Sequence, residues 1–379
     1  MSRGVLAGVR VLEFDAIGPA PFCGMMLADH GASVIRIGRP EGQPNGVDAG
    51  TDDVLLRGRP TVAVHLKAAA GREVALELAG AADILIEGYR PGVMERLGLG
   101  PDVCLTRNPR LVYGRVTGYG QDGPLALNPG HDINYIALTG ALAAIGDPER
   151  PPPPPLSLIG DFGGGGMLLA FGVLAAYLSA KQTGQGQVVD AAMVDGASLL
   201  MALVYGWRNA GQWSTQRQSN LLDGGAPFYR TYQTADGKYL AAGAIEPRFY
   251  AAFRAALGLH DPLFDVQMDR TQWPVMCDRI AALIASRPLS GWQGAIEQPD
   301  ACLSPVLTMD EVLEHPHMRA RQTHMSGDRM QPTPAPRFHG KPTDAPAAQR
   351  YARPPTLEEA LDCWPVSAAA HEALTAAAR

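Results

Sequence analysis

The chain has 379 residues, of which 46% are hydrophobic and 18% charged, with a formal net charge of −6. This length can bury one large core or two domains, and the composition excludes a disordered chain. No basic block stands out, which argues against a nucleic-acid partner; an anionic ligand would need only a local cluster of arginines.

The first 120 or so residues alternate strand and helix patterns. Val9 to Phe14 reads as a strand, Phe22 to His30 as a helix stopped by Gly31, and Ser33 to Ile37 as a second strand. Thr61 to Leu66 is a third, followed by a helix over Arg72 to Leu78. Ala82 to Glu87 and Leu111 to Thr117 are further strands, with a short helix at Val93 to Leu97 between them. Apolar strands alternating with helices predict an α/β fold with a Rossmann-like, doubly wound, mostly parallel sheet. Ligands of such sheets bind beyond the carboxyl ends of the strands. The first strand-to-helix loop, Asp15 to Pro21, lacks G-x-G-x-x-G, which weakens a nicotinamide reading.

Pro151 to Pro155 form a stiff connector before a loop carrying Asp161 and a helix over Met167 to Ala180. A second long helix is predicted over Ala192 to Trp207, and the polar stretch from Asn209 reads as a linker. Ala226 to Ala242 looks antiparallel, with a hairpin turn at Ala235-Asp236-Gly237. Helices follow over Arg248 to Leu257 and Trp273 to Ser286, and from Ser326 the chain is rich in Pro and Ala. The expected organisation is a large domain over 1–208, a linker over 209–222, a smaller α+β domain over 223–318 and a C-terminal segment over 319–379.

The five cysteines, Cys23, Cys104, Cys277, Cys302 and Cys363, are scattered and form no C-x-x-C pair, so reduced thiols and no zinc site are expected. The amino-terminal Met1 to Ala7 is too short for a secretory signal. The apolar run Met167 to Ala180 falls short of the roughly 20 residues that span a bilayer, so it reads as a core helix. The end, Ala377-Ala378-Arg379, is no peroxisomal address, and a cytoplasmic location follows by default.

Three acid/base groups stand in distinctive settings: His131 and Asp132 in Gly130-His131-Asp132-Ile133-Asn134-Tyr135, Asp161 in Gly-Asp-Phe-Gly-Gly-Gly-Gly, and Glu246 in Gly-Ala-Ile-Glu-Pro. An imidazole with two well-placed carboxylates can move protons near neutral pH. Each has a plainer reading: His131 as a satisfied core histidine, Asp161 as the N-cap of the following helix, and Glu246 as a helix cap or a solvated surface acid.

These segments, with Val9 to Glu13, Glu87 to Gly92, Gly184 to Asp190, Leu222 to Tyr229 and Pro334 to Phe338, resemble the α-methylacyl-CoA racemases of the class III CoA-transferase superfamily over nearly the whole chain. The resemblance implies that the tail returns to the large domain and that two chains interlock as a homodimer. It implies His131 and Asp161 as two bases on either side of a substrate α-carbon, and Glu246 as the acid that orients His131. Asp132 would offer its backbone N–H to the thioester oxygen. For the CoA moiety it implies Arg39, Arg90 and Arg96, with Val64, His65, Leu66, Lys67, Gly88, Tyr89 and Tyr135. Ile17, Gly130, Ile133 and Asn134 complete the expected lining, with Ile17 and Leu66 serving either the adenine or the core. No metal or redox cofactor is expected, because the acyl-CoA thioester substrate carries its own coenzyme.

Two features stand apart from that pattern. Arg230 occupies a position where an acidic residue is expected, and Met193 and Met201 suit either an acyl-chain surface or helix core. The competing readings are CoA transfer between carboxylic acids with Asp161 as nucleophile, and a noncatalytic acyl-CoA binder. His131, with Glu246 behind it, favours proton transfer over both.

Overall fold

The computed structural model describes residues 4–39, 54–325, 330–338 and 355–377. The expectations for Met1 to Arg3, most of the Pro/Ala-rich stretch after Ser326, and the last two residues lie outside them. Two compact units emerge, one from the described parts of 1–139, 155–201 and 322–379, the other from 140–154 and 202–321. The division differs from the expected one. Residues 140–154 and 202–208 go with the second unit, and 209–222 is built into it: Asn220 is buried and its amide donates to Ser214 O at 3.0 Å and Asp223 Oδ2 at 2.7 Å.

The first unit is a six-stranded sheet in the order β3-β2-β1-β4-β5-β6, parallel throughout. The strands are β1 (Arg10–Phe14), β2 (Ser33–Gly38), β3 (Thr61–Ala63), β4 (Ile84–Glu87), β5 (Val112–Thr117) and β6 (Val188–Ala192). Its helices are α1 (Pro19–Asp29), α2 (Ala69–Ala81), α3 (Val93–Arg96), α4 (Pro101–Arg107), α5 (Asp132–Leu138), α6 (Leu168–Thr183) and α7 (Met193–Leu200). Successive strand residues face opposite layers. Leu12, Phe14, Ile35 and Ile37 pack on Ala75, Leu78 and Ala79 of α2 and on Leu357, Leu361 and Trp364 of the tail. Val11, Val34, Ile84 and Ile86 pack on Cys23 and Leu27 of α1 and on Leu169 and Val173 of α6. Burial on both faces is why these strands read as continuous apolar runs. The tail is pinned by Trp364, whose indole N–H donates to Ser33 Oγ at 3.0 Å.

The glycine-rich loop expected around Asp161 is instead a π-helical segment, Leu158–Met167, that runs straight into α6. The continuous helix has 26 residues and is long and apolar enough to cross a membrane by composition, so the shorter run read from sequence is corrected. Leu169, Ala170, Val173, Ala176 and Ala180 are buried in the core of the unit. The glycines allow this geometry. A Cβ at Gly164 would lie 2.7 Å from the Ala197 backbone nitrogen in α7, and one at Gly196 would collide with the Gly164 carbonyl. Two backbones therefore cross where neither admits a side chain.

The second unit holds the antiparallel sheet β7-β8-β9, made of β7 (Tyr229–Gln233), β8 (Tyr239–Gly243) and β9 (Leu303–Pro305). Its main helices are α8 (Ala202–Asn209), α9 (Pro247–Leu257) and α10 (Trp273–Ile284). Phe228, Tyr250, Phe253, Trp273 and Trp292 centre its core. The single helix expected over 192–207 is two, α7 and α8, interrupted at Met201.

Candidate active site

Strand order 3-2-1-4-5-6 puts the reversal of connection between β1 and β4, and the loops leaving their carboxyl ends diverge to open a crevice. The first unit has there a cavity of about 800 Å³. It is lined by the loop after β1 (Asp15 to Pro19), Arg39 after β2, Gly88 to Pro91 after β4, Thr117 to Tyr119 around the end of β5, the start of α5, Asp161 and Met193.

Of the expected residues, Ile17, Arg39, Gly88, Tyr89, Arg90, Gly130, His131, Asn134, Tyr135 and Asp161 come together on this cavity. Val64, His65, Leu66 and Lys67 do not line it; they follow the carboxyl end of β3, and Leu66 packs on the core. Arg96 is exposed on α3 and Ile133 on α5, both off the cavity. Met201 likewise lies off it, whereas Met193 is part of the wall. Asp15, Gly18, Val116, Tyr119 and Asn128 join the lining without having been expected. Asp15 stands just past an apolar strand, the place where ligand-facing loops begin, and that was the available signal.

His131 is not a core histidine. It is exposed to the cavity at the N-cap of α5, in extended conformation (φ −132°, ψ 175°). Its backbone N–H donates to Asn134 Oδ1 at 3.0 Å, which fixes the entry into the helix. Tyr135 supports the turn from below: its hydroxyl donates to the Gly130 carbonyl, and its ring meets Tyr119 edge-on with centroids 4.9 Å apart. Gly118 and Gly130 lie against these rings with no space for a side chain.

Asp161 is half-buried inside the π-helical segment, so the N-cap reading is also corrected. Asp132 holds it in place. The Asp132 carboxylate is buried, and its Oδ1 accepts the backbone N–H groups of Gly160 at 2.6 Å and Asp161 at 2.7 Å. The Asp161 carboxyl is pushed up to about 6, first by burial and then by the Asp132 charge, against the pull of His131 and a hydrogen bond involving Ser157. A carboxyl titrating near neutrality can both take and return a proton. Proton removal by Asp161 is therefore expected to speed up as pH rises through about 6, and proton delivery by Asp161 to slow over the same interval. Asp132→Asn keeps an oxygen for the two N–H donors but removes the charge. It should move both limbs to lower pH, read from pH–rate profiles for proton removal and proton return; unmoved limbs would remove Asp132 from this role.

The loop after β4 is anchored by a buried carboxylate. Glu87 Oε2 accepts the Tyr89 N–H at 2.8 Å while Oε1 pairs with Arg115 Nε at 2.8 Å. Asp15 is paired with Arg36. Arg39 and Arg90 have no carboxylate within ion-pair distance among the described residues, so both remain available to an anionic ligand. Glu246 belongs to the second unit. It is exposed at the N-cap position of α9, and its side chain makes no capping hydrogen bond, so the helix-cap reading does not describe it.

The chain is 42% identical over 332 residues to the α-methylacyl-CoA racemase of Mus musculus, covering 88% of this chain and 85% of that one. It is 40% identical over 356 residues to the Homo sapiens protein of the same name, with 93% and 91% covered. A crystal structure of the Mycobacterium tuberculosis protein Rv3272 superimposes with a TM-score of 0.76 at 27% identity, covering 95% of this chain and 98% of that one. The family model described as CoA-transferase family III matches residues 6–360, and the chain belongs to that family.

Proposed function

We propose that this protein is an α-methylacyl-CoA racemase that interconverts the 2R and 2S epimers of a 2-methylacyl-CoA by transferring a proton at C2. The observation that carries the reading is a cavity lined by both an exposed imidazole, His131, and a carboxyl raised to about 6, Asp161. The level of identity to the mouse and human racemases supports it.

The thioester acidifies the C2–H. One group takes the proton and leaves an enolate, and the other returns a proton to the opposite face. His131 serves as base for one epimer and Asp161 for the other. The Asp132 backbone N–H, at the first position of α5 where no intrahelical acceptor exists, is the donor to the developing oxyanion. Arg39 and Arg90 bind the CoA phosphates, and Ile17 packs against the adenine. The mechanism calls on no metal or redox cofactor, since the substrate brings the coenzyme.

The alternative within the family is CoA transfer, with Asp161 attacking the thioester. Incubating each pure epimer with the protein and a chelator, with and without a free carboxylate, separates the two. Formation of the opposite epimer without a carboxylate supports racemisation; carboxylate-dependent exchange without epimerisation would replace it with transfer.

We also infer that two chains form a homodimer. Met167, Phe171 and Leu178 share one face of the long helix and are 49%, 71% and 62% exposed, an apolar stripe that a second copy would cover. A monomer mass in light scattering at assay concentrations would contradict this.

A further inference from the structure

Tyr119 stands on the wall of the cavity that holds His131 and Asp161, and the proton transfer proposed above does not use it. It follows β5 in the turn Thr117-Gly118-Tyr119-Gly120, at the carboxyl end of the sheet. That turn is fixed on three sides. The Thr117 hydroxyl oxygen accepts the Gly120 N–H at 3.1 Å, and the Gly118 carbonyl accepts the Val194 N–H of α7 at 3.1 Å. Gly120 takes φ +94°, a conformation that glycine adopts without strain. The Tyr119 ring is in turn held edge-on against Tyr135.

The hydroxyl end of Tyr119 reaches the turn that leads into α5. A Cβ placed on Gly130 would lie 2.8 Å from the Tyr119 oxygen. The Gly130 carbonyl is already taken by the Tyr135 hydroxyl. Tyr119 is half-buried, and its own hydroxyl makes no hydrogen bond among the described residues. Nor is that oxygen one of the enclosed, partnerless polar atoms of the protein. A phenol carries one O–H donor, and here that donor is left for a ligand in the cavity.

We propose that the Tyr119 hydroxyl is a second donor to the thioester oxygen, beside the Asp132 backbone N–H, as the enolate forms. The proposal rests on the racemase reading. Gly130 stands two residues before Asp132, so a hydroxyl against Gly130 and an N–H at the start of α5 open on the same part of the cavity. When either base takes the C2 proton, the C–H electron pair forms the C1–C2 double bond and the carbonyl π pair moves onto the thioester oxygen. Tyr119 keeps its proton throughout. Its hydrogen bond strengthens as charge gathers on that oxygen and relaxes when the other acid returns a proton to C2. A donor that meets more charge in the transition state than in the ground state raises kcat and not affinity. The enolate is common to both directions of the reaction, so the effect is common to both.

Tyr119→Phe removes the hydroxyl and keeps the ring against Tyr135, so the urea unfolding midpoint should stay native. The kcat for epimerisation should fall about 10²-fold from either epimer, with KM changed by less than about threefold. Deuterium entry at C2 should slow by the same factor for both epimers, unlike the one-epimer losses expected when a base is removed. A native kcat in Tyr119→Phe, a raised KM at unchanged kcat, or a loss confined to one epimer would overturn the proposal and leave the racemase reading standing. A native protein that forms no opposite epimer would overturn both.

Discussion

Removing either base should stop epimerisation while leaving half of the chemistry alive. In His131→Ala, Asp161 can still take the C2 proton from one epimer and return it to the same face. The mutant should therefore exchange that proton with solvent but form no opposite epimer. Asp161→Ala should exchange the proton of the other epimer only. General acid–base groups contribute about 10²–10⁴-fold, so net epimerisation should fall by at least that range in both mutants. Neither substitution threatens the fold. His131 is exposed at the start of α5, and the Asp132 carboxylate holds the Asp161 main chain, not its side chain. NMR-monitored deuterium exchange on each pure epimer reads the outcome. Equal exchange of both epimers by both mutants, or near-native epimerisation by His131→Ala, would sink the two-base assignment.

The second large effect is structural and acts on the same site. At the crossing of the π-helical segment with α7, a Cβ on Gly196 would occupy the position of the Gly164 carbonyl, and backbone cannot move aside as a flexible side chain does. Gly196→Val should destabilise the protein by about 3 kcal/mol or more, at or beyond the upper end of ordinary overpacking, and leave little soluble protein. Because Asp161 rides on that segment, any folded fraction should be nearly inactive. Gly206→Ala is the matched control, since it lies in α8 with open space around its Cβ position. It should be neutral or stabilise by up to about 1 kcal/mol through helix propensity. Urea unfolding of both variants checks this; native-like stability in Gly196→Val would show that the crossing tolerates a side chain.

Strands β1 to β5 were legible because doubly covered parallel strands read as apolar runs closed by turn residues. β6 was not, because Val188-Val189-Asp190-Ala191-Ala192 is short and carries an aspartate at its centre. The run Gly163 to Gly166 carried an ambiguous signal. Four glycines read as loop, and what makes them helical is the close approach of Gly196, some 30 residues later. The break at Met201 has neither glycine nor proline to mark it. At the site, Gly88 to Arg90 converged with Gly130, His131, Asn134, Tyr135 and Asp161, whereas Ile133 and the contiguous Val64 to Lys67 did not. Of the three arginines expected for the anionic ligand, Arg39 and Arg90 line the cavity and Arg96 does not. What was not legible is that the buried Asp132 carboxylate accepts the N–H groups of Gly160 and Asp161, a contact that joins residues 28 or 29 apart in sequence. The Glu87 carboxylate behind Tyr89 was invisible for a related reason, since a glutamate ending an apolar strand gives no sign of which N–H it will hold.

The central claim is proton transfer at C2, and the most direct measurement is incubation of the native protein with a single epimer of a 2-methylacyl-CoA in deuterated water. Epimerisation should proceed with one deuterium entering at C2 of each newly formed molecule, at the same rate whether or not a free carboxylate is added. Movement of the acyl group between CoA and carboxylate with no deuterium at C2 would contradict the claim.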